Sequence, residues 1–273
     1  MTAMQRIRID DAVIERALAG DAAALDATVK TLQGPFFDLA RRMVLDPGDA
    51  EDAAQEALLR VVTHFAQFDR RARFSTWAWR IALNACLDAR ARRYRLPVLS
   101  EEAFGADLVD GLDPDAPERP EDAALLGEVK IGCGIAMLST LDGGHRAAYV
   151  LGDILELDGD EAAEVLGVEP AAYRKRLSRA RGRIAAALQA WCGVVREENP
   201  CRCHRRLERA RALGRVPGSP PRPALDLTTL REQVHRMEAL RAATAYYRAD
   251  GQLLPRRDLA ARVRDLLVRS LEE

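Results

Sequence analysis

The sequence predicts an all-α protein. Two helical domains are joined by an acidic, proline-rich linker, and a small helical C-terminal extension follows. Three observations predict this. No stretch alternates apolar and polar residues with the period of two that a half-buried strand requires. Aromatic residues make up only 5% of the chain while Ala, Leu and Arg abound, which favours helix. Between them, Leu96 to Pro120 sets Pro97, Pro114, Pro117 and Pro120 among acids, the composition of a tether. The expected segments are therefore 1–95, a linker over 96–120, a second helical domain over 121–191, a Cys/Arg/Pro segment over 192–223 and helices over 224–273.

Each element has a local cause. Asp21 before an alanine-rich run is an N-cap, and the helix it starts extends to Leu45, kinked or interrupted at Gly34-Pro35. Asp46-Pro47-Gly48-Asp49 is a turn. The next helix, Ala50 to Phe65, turns Ala54, Leu58, Val61, Val62 and Phe65 inward and leaves Asp52, Gln55, Glu56 and Arg60 outside. A loop from Gln67 to Arg73 leads to a helix from Phe74 to Tyr94, on which Trp77 falls at a core position. Helical patterning resumes at Glu121 and holds to Trp191. A break follows from Asn199 to Pro223, and then a hairpin of two helices, Leu227 to Arg248 and Arg256 to Leu271, joined at Asp250-Gly251.

Net charge is only -1, yet the charge is segregated. Arg60 to Arg95 holds nine Arg against two Asp, Leu99 to Asp122 nine acids against one Arg, and Arg174 to Arg183 six cations and no acid. Local patches of this kind, rather than net charge, steer a polyanion. No apolar run reaches the ~18 residues of a membrane span. The N-terminus lacks the pattern of a signal peptide, so a cytoplasmic location with reduced thiols is expected. A phosphate-binding glycine loop and an Asp/Glu/His metal cluster are both missing from the sequence, and the four His are scattered, so catalysis is not expected.

Asp160 to Ile184 reads as a helix-turn-helix. Ala163 sits where two helices cross, Gly167 permits the tight turn, and Pro170 occupies a first-turn position. Tyr173, Leu177, Ala180 and Ile184 must face the core. The opposite face then carries Ala171, Lys175, Ser178 and Arg179, flanked by Arg174, Arg176 and Arg183. Lys175 and Arg179 can reach guanine acceptors in a major groove, and the flanking arginines suit phosphates. The plainer reading is a solvated basic helix.

Phe65 to Asn84 interleaves aromatics with cations, the arrangement that holds unstacked bases. Phe68, Asp69, Arg70, Arg71 and Arg73 share a loop that can receive an extruded base, with Ser75 beside it and Arg80 and Asn84 one turn apart on the following helix. A plain basic surface is the alternative. Taken together, a grip on melted DNA and a grip on duplex suit a protein that opens promoters.

Asp49-Ala-Glu-Asp52-Ala-Ala-Gln55-Glu56, then Phe74-Ser-Thr-Trp77-Ala-Trp79-Arg80-Ile81-Ala-Leu-Asn84, and later Tyr173-Arg-Lys-Arg-Leu177-Ser-Arg-Ala-Arg181 resemble bacterial extracytoplasmic-function sigma factors over roughly Asp10 to Trp191. The resemblance implies a sigma region 2 and a region 4 around the linker, and promoter-specific initiation by RNA polymerase. It implies that Asp52, Gln55 and Glu56 dock on the β′ clamp helices and region 4 on the β flap. Phe68, Asp69, Arg70, Arg73, Ser75, Arg80 and Asn84 would then capture the minus-ten strand. Ala171, Arg174, Lys175, Arg176, Ser178, Arg179 and Arg183 would read the minus-thirty-five duplex. The acidic linker would thread towards the RNA exit path, and an anti-sigma factor is a candidate partner. Pro170-Ala-Ala-Tyr173 departs from the family's usual start of the recognition helix. A one-component helix-turn-helix regulator is the competing reading, but it leaves Phe65–Asn84 and the linker without a role.

Cys192, Cys201, Cys203 and His204 fall close together in the extension. Three thiols and an imidazole have the chemistry for zinc or another soft metal, although no cofactor is required for the main reading and an arginine-rich linker with incidental cysteines is the alternative. Cys86 and Cys133 read as packing residues.

Overall fold

The structure, a computed structural model, describes residues 7–44, 46–93, 99–216, 239–249, 255 and 258–272. Among them the only sheet-like pairing is an isolated bridge between Cys192 and Cys201. The chain divides into two units: Met1–Leu96 with Ala147–Arg176 and Gln252–Glu273, and Pro97–Arg146 with Leu177–Gly251.

In the first unit, α1 (Asp11–Leu18) is capped by Asp10 and α2 (Ala22–Met43) by Asp21, whose carboxylate accepts from the amides of Ala23 and Ala24. α2 passes through Pro35 unbroken, so of the kink or interruption expected from sequence the interruption does not occur. A proline inside a helix costs about 3 kcal/mol. Leu32, Phe36 and Leu39 around it are fully buried, at roughly 1.5–3 kcal/mol each, so packing wins. α3 (Pro47–Thr63) starts earlier than expected because Asp46 caps Gly48 and Asp49, with Pro47 in the first turn.

α4 (Phe74–Arg93) crosses α2 and α3. Its core face holds Ala78, Trp79, Ala82 and Leu83. Trp79, not Trp77, is therefore the core tryptophan, stacked near Phe36 at 6.0 Å between ring centroids, whereas Trp77 is half-buried. A π-helical turn (Val150–Ile154) leads to α8 (Gly159–Leu166), which packs on α4.

The second unit begins with a correction. The linker is not a bare tether: Ser100 caps α5 (Glu101–Val109), and Phe104 and Leu108 are buried. α6 (Ala123–Leu138) follows, then α7 (Gly143–Tyr149), whose buried Arg146 donates to the carbonyls of Leu138 and Leu141 beyond the end of α6. α9 (Pro170–Trp191) contributes its residues from Leu177 onward. α10 (Cys203–Ala212) packs on α6.

The two distal helices do not form the expected hairpin unit. α11 (Ala239–Arg248) belongs to the second unit, where the fully buried Lys130 of α6 donates to the Tyr246 carbonyl at 2.6 Å and lies over its ring. α12 (Leu259–Glu272) belongs to the first. There Leu259, Ala260 and Val263 are buried, Ala260 N donates to Gln33 Oε1 at 3.1 Å and Arg264 pairs with Asp26. The expected start of the first of these helices at Leu227, and the Asp250-Gly251 joint, lie outside the described residues.

Candidate functional site

The loop between α3 and α4 is shaped by its own side chains. Asp69 Oδ1 accepts from Arg71 N at 3.1 Å, closing an Asx turn, and Arg70 takes a left-handed backbone at φ 62°. That conformation is rare for a residue with a Cβ and costs about 1 kcal/mol or more. The effect is to turn Arg70, Arg71 and Arg73 outward, all exposed. With Arg8 they line a cleft of about 880 Å³ whose apolar wall includes Ile14, Phe68 and Phe74. This falls within the size range of sites that take small ligands or a single base.

Phe68 is not the free stacking platform expected of it. It is 9% exposed and packs edge-on to Phe74 and tilted to Trp77, each at 5.4 Å. An aromatic in such a cluster gains more from burial than from waiting in water. It borders the cleft and fixes the loop that carries the arginines.

On α4, Arg80 and Asn84 are exposed and Ser75 is half-buried. Two of these already have partners on α8. Ser75 Oγ and Thr76 Oγ1 donate to Glu161 Oε1 at 3.0 and 3.2 Å, and Arg80 Nη2 donates to the Glu164 carbonyl at 2.6 Å. Sequence reasoning missed Glu161 and Glu164. They lie some 85 residues away and read as ordinary acids of a helix start.

The helix-turn-helix follows the sequence closely. Asp158 caps α8, Gly167 ends it at φ 67°, and Pro170 opens α9. Tyr173, Leu177, Ala180 and Ile184 are buried. Ala171, Arg174, Lys175, Ser178, Arg179 and Arg183 are exposed and Arg176 is half-exposed. Arg183 lies 3.6 Å from Glu101, so it shares its charge with α5.

Comparison with known proteins decides what these two faces belong to. Residues 28–96 match Sigma-70 region 2 and residues 135–184 match Sigma-70 region 4. The chain is 31% identical to the RNA polymerase sigma-H factor of Pseudomonas aeruginosa over 66% of its own length and 94% of that protein's. It is likewise 31% identical to the sigma factor NccH of Alcaligenes xylosoxydans, over 67% and 96%. The chain belongs to the extracytoplasmic-function RNA polymerase sigma factors.

This sigma factor directs bacterial RNA polymerase to promoters and initiates transcription, region 2 acting at the minus-ten element and region 4 at the minus-thirty-five element. The match to region 2 sets aside the one-component regulator. Among solved structures, CnrH in complex with the cytosolic domain of CnrY is similar at 25% identity and a TM-score of 0.49, over 66% of this chain and 97% of that one. No described helix is long and apolar enough to cross a membrane.

The expected polymerase-facing residues of the sigma factor fare unevenly. Asp52 is exposed, and Glu56 pairs with Arg60 at 2.9 Å. Arg60 also meets Asp88 at 2.8 Å, and these two carboxylates, Asp88 foremost, hold its proton more firmly than usual. Gln55 is only 8% exposed, and its Oε1 has no hydrogen-bond partner among the described residues. The expectation that it lies outside is corrected: a fourth of a turn from the core stripe, it is covered once neighbouring elements pack.

The extension's cysteines lie in the second unit. Among the described residues no three His, Cys, Asp or Glu side chains are grouped to hold a metal ion. Cys192 and Cys201 are buried and joined by the backbone bridge, which Gly193 N reinforces by donating to the Cys201 carbonyl at 3.0 Å. Cys203 and His204 are successive residues of α10, about 100° apart on a helix, and His204 Nδ1 lies 3.6 Å from Glu118. Burial pushes the Cys192 and Cys201 thiols up, as it does Cys86 and Cys133, both to about 12. Besides burial, the neighbouring Cys133, Cys203 and Cys192 push the Cys201 thiol up.

Proposed function

We propose residue roles within this sigma factor. Arg70, Arg73, Ser75, Arg80 and Asn84 capture the melted minus-ten strand, with Arg71 and Arg8 at the rim of the cleft. Asp69 holds the loop turn and Phe68 supports it from below. The observation that carries this reading is the cleft of about 880 Å³, lined by four exposed arginines, by Ile14, Phe68 and Phe74, and by Asp11, Glu15 and Glu164, with Arg70 paired to Glu15 at 3.2 Å. Cations track a phosphate backbone and apolar walls take the face of an unstacked base.

Lys175 and Arg179, with the small residues Ala171 and Ser178, meet base edges of the minus-thirty-five duplex, and Arg174, Arg176 and Arg183 meet phosphates. Asp52 and Glu56 face the β′ clamp helices, with Gln55 bracing α3 from beneath. Region 4 meets the β flap. The protein works in the cytoplasm alongside its polymerase, without catalysis or a cofactor of its own, and an anti-sigma factor is an expectation resting on the family alone.

The test is run-off transcription with core polymerase on a promoter library. Wild-type protein yields specific transcripts, Arg80→Ala loses opening while keeping duplex recognition, and Arg179→Ala loses recognition. Equal transcription by Arg80→Ala and wild type would remove Arg80 from this role, and equal transcription by Arg73→Ala, which lines the cleft, would remove the cleft.

A further inference from the structure

The acidic linker and the arginine-rich extension face each other within the second unit. Residues 202–215 carry six Arg against one Glu. The buried Arg206 donates through Nη1 to the carbonyls of Asp107 and Leu108, in the last turn of α5, and through Nη2 to the Asp107 carboxylate at 2.7 Å. Those carbonyls are among the groups a helix end leaves unsatisfied, so an arginine from the extension completes the linker helix.

Arg215 adds a second contact to Asp107 at 2.8 Å, and Arg209 Nε meets Asp110 at 3.0 Å. Backbone joins in: Asp113 N donates to the Arg205 carbonyl at 3.0 Å. Gly111, at φ 64°, lets the Arg209 side chain approach where a Cβ would sit 2.8 Å from its Cδ. Charge, cap and close approach all point to a built interface rather than a chance surface pairing.

We infer that the arginine face of α10 is a docking surface for the linker segment 101–113, and that this segment leaves α10 when the sigma factor spans a promoter on polymerase. The inference rests on the initiation reading above. Elements centred ten and thirty-five base pairs upstream lie about 85 Å apart along duplex at ~3.4 Å per pair. A nine-residue helix such as α5 covers only about 13 Å, whereas the same residues extended cover about 30 Å. With residues 107–113 tied to α10, the bridge from region 2 is shortened to the ten residues, 97–106, before them. Polymerase binding therefore competes with α10 for the linker, and the extension sets how readily this sigma factor enters the holoenzyme.

Amide hydrogen exchange on the full chain tests this, with α2 amides as the folding control. In the free wild-type protein, amides 101–113 exchange slowly. Arg209→Glu speeds them by about tenfold, as expected for loss of one charge-assisted anchor. Adding Asp110→Arg to Arg209→Glu restores slow exchange by reversing the pair. In wild-type protein bound to core polymerase on promoter DNA, the same amides exchange fast. Slow exchange of 101–113 in that complex overturns the release, and a charge swap that restores nothing overturns the docking surface. Failure of every chain to bind core polymerase would instead sink the initiation reading, with the free-chain swap still deciding the α10 contact.

Discussion

Arg80 Nη2 donates to the backbone carbonyl of Glu164 at 2.6 Å, so an arginine assigned to the melted strand is hydrogen bonded to the helix preceding the recognition helix. Beside it, Ser75 and Thr76 share the carboxylate of Glu161 at 3.0 and 3.2 Å. A carboxylate that accepts from two hydroxyls offers the same chemistry as a phosphate oxygen. On the roles proposed above, strand capture by α4 would exchange one anionic acceptor for another.

Glu161→Gln removes that charge while keeping an acceptor. The free variant is expected to bind a fluorescent single-stranded minus-ten oligonucleotide about fivefold tighter, equivalent to ~1 kcal/mol. Fluorescence anisotropy at fixed salt reads this. Unchanged or weaker binding would show that Glu161 does not compete with DNA.

On α9, Lys175→Ala and Arg179→Ala are each expected to cost about 1–3 kcal/mol on the specific duplex and to relax base preference there. Arg174→Ala should weaken all duplexes evenly and lower the salt slope by about one. Titrations of specific and scrambled duplex at several salt concentrations separate the two classes, and equal loss on both duplexes for Arg179→Ala refutes base contact.

Gly105→Ala is expected to destabilise the second unit by about 1–3 kcal/mol, the usual cost of overpacking. A Cβ there would lie 2.3 Å from the Trp191 ring, too close for either to stay in place. Thermal unfolding monitored by tryptophan fluorescence measures it. A midpoint equal to wild type would contradict the tight packing of α5 on α9.

Acid should loosen α5. Burial alone would raise the Asp107 carboxyl, but Arg215 and Arg206 outweigh it and hold it below its ordinary value. A depressed folded value means that the stabilisation is complete above about pH 4, the unfolded value, and is lost as pH falls through the folded one. Urea midpoints from pH 6 down to pH 3 should therefore decline, and Asp107→Asn should flatten part of that decline. A wild-type slope matching the variant's removes Asp107 from the cause.

Thiol chemistry gives a further check. With Cys86 and Cys133 pushed up to about 12 by burial, both stay as unreactive thiols at pH 8. Mass spectrometry after brief iodoacetamide treatment should find them alkylated only in denatured protein. Rapid alkylation of Cys86 in the native chain would disprove its burial, and rapid alkylation of the half-buried Cys133 would disprove the raised thiol there.

Local pattern made much of this molecule legible. The buried stripe Tyr173, Leu177, Ala180 and Ile184, the cap Asp21, and the turn at Gly167 all follow from helical periodicity and the stereochemistry of single residues. So does the cationic face opposite that stripe. These are properties a helix has before it meets a partner.

What the tertiary structure decided is who those partners are. Periodicity cannot tell that Trp79 rather than Trp77 fills the core, that Gln55 is covered, or that Pro35 survives inside α2, because each depends on which neighbours close over it. The linker is the clearest instance. Its acids and prolines read as a tether, yet α5 stands because Arg206 reaches it from 99 residues away. Sequence determines the faces that helices present, and burial and charge pairing over long separations determine which of those faces stay free.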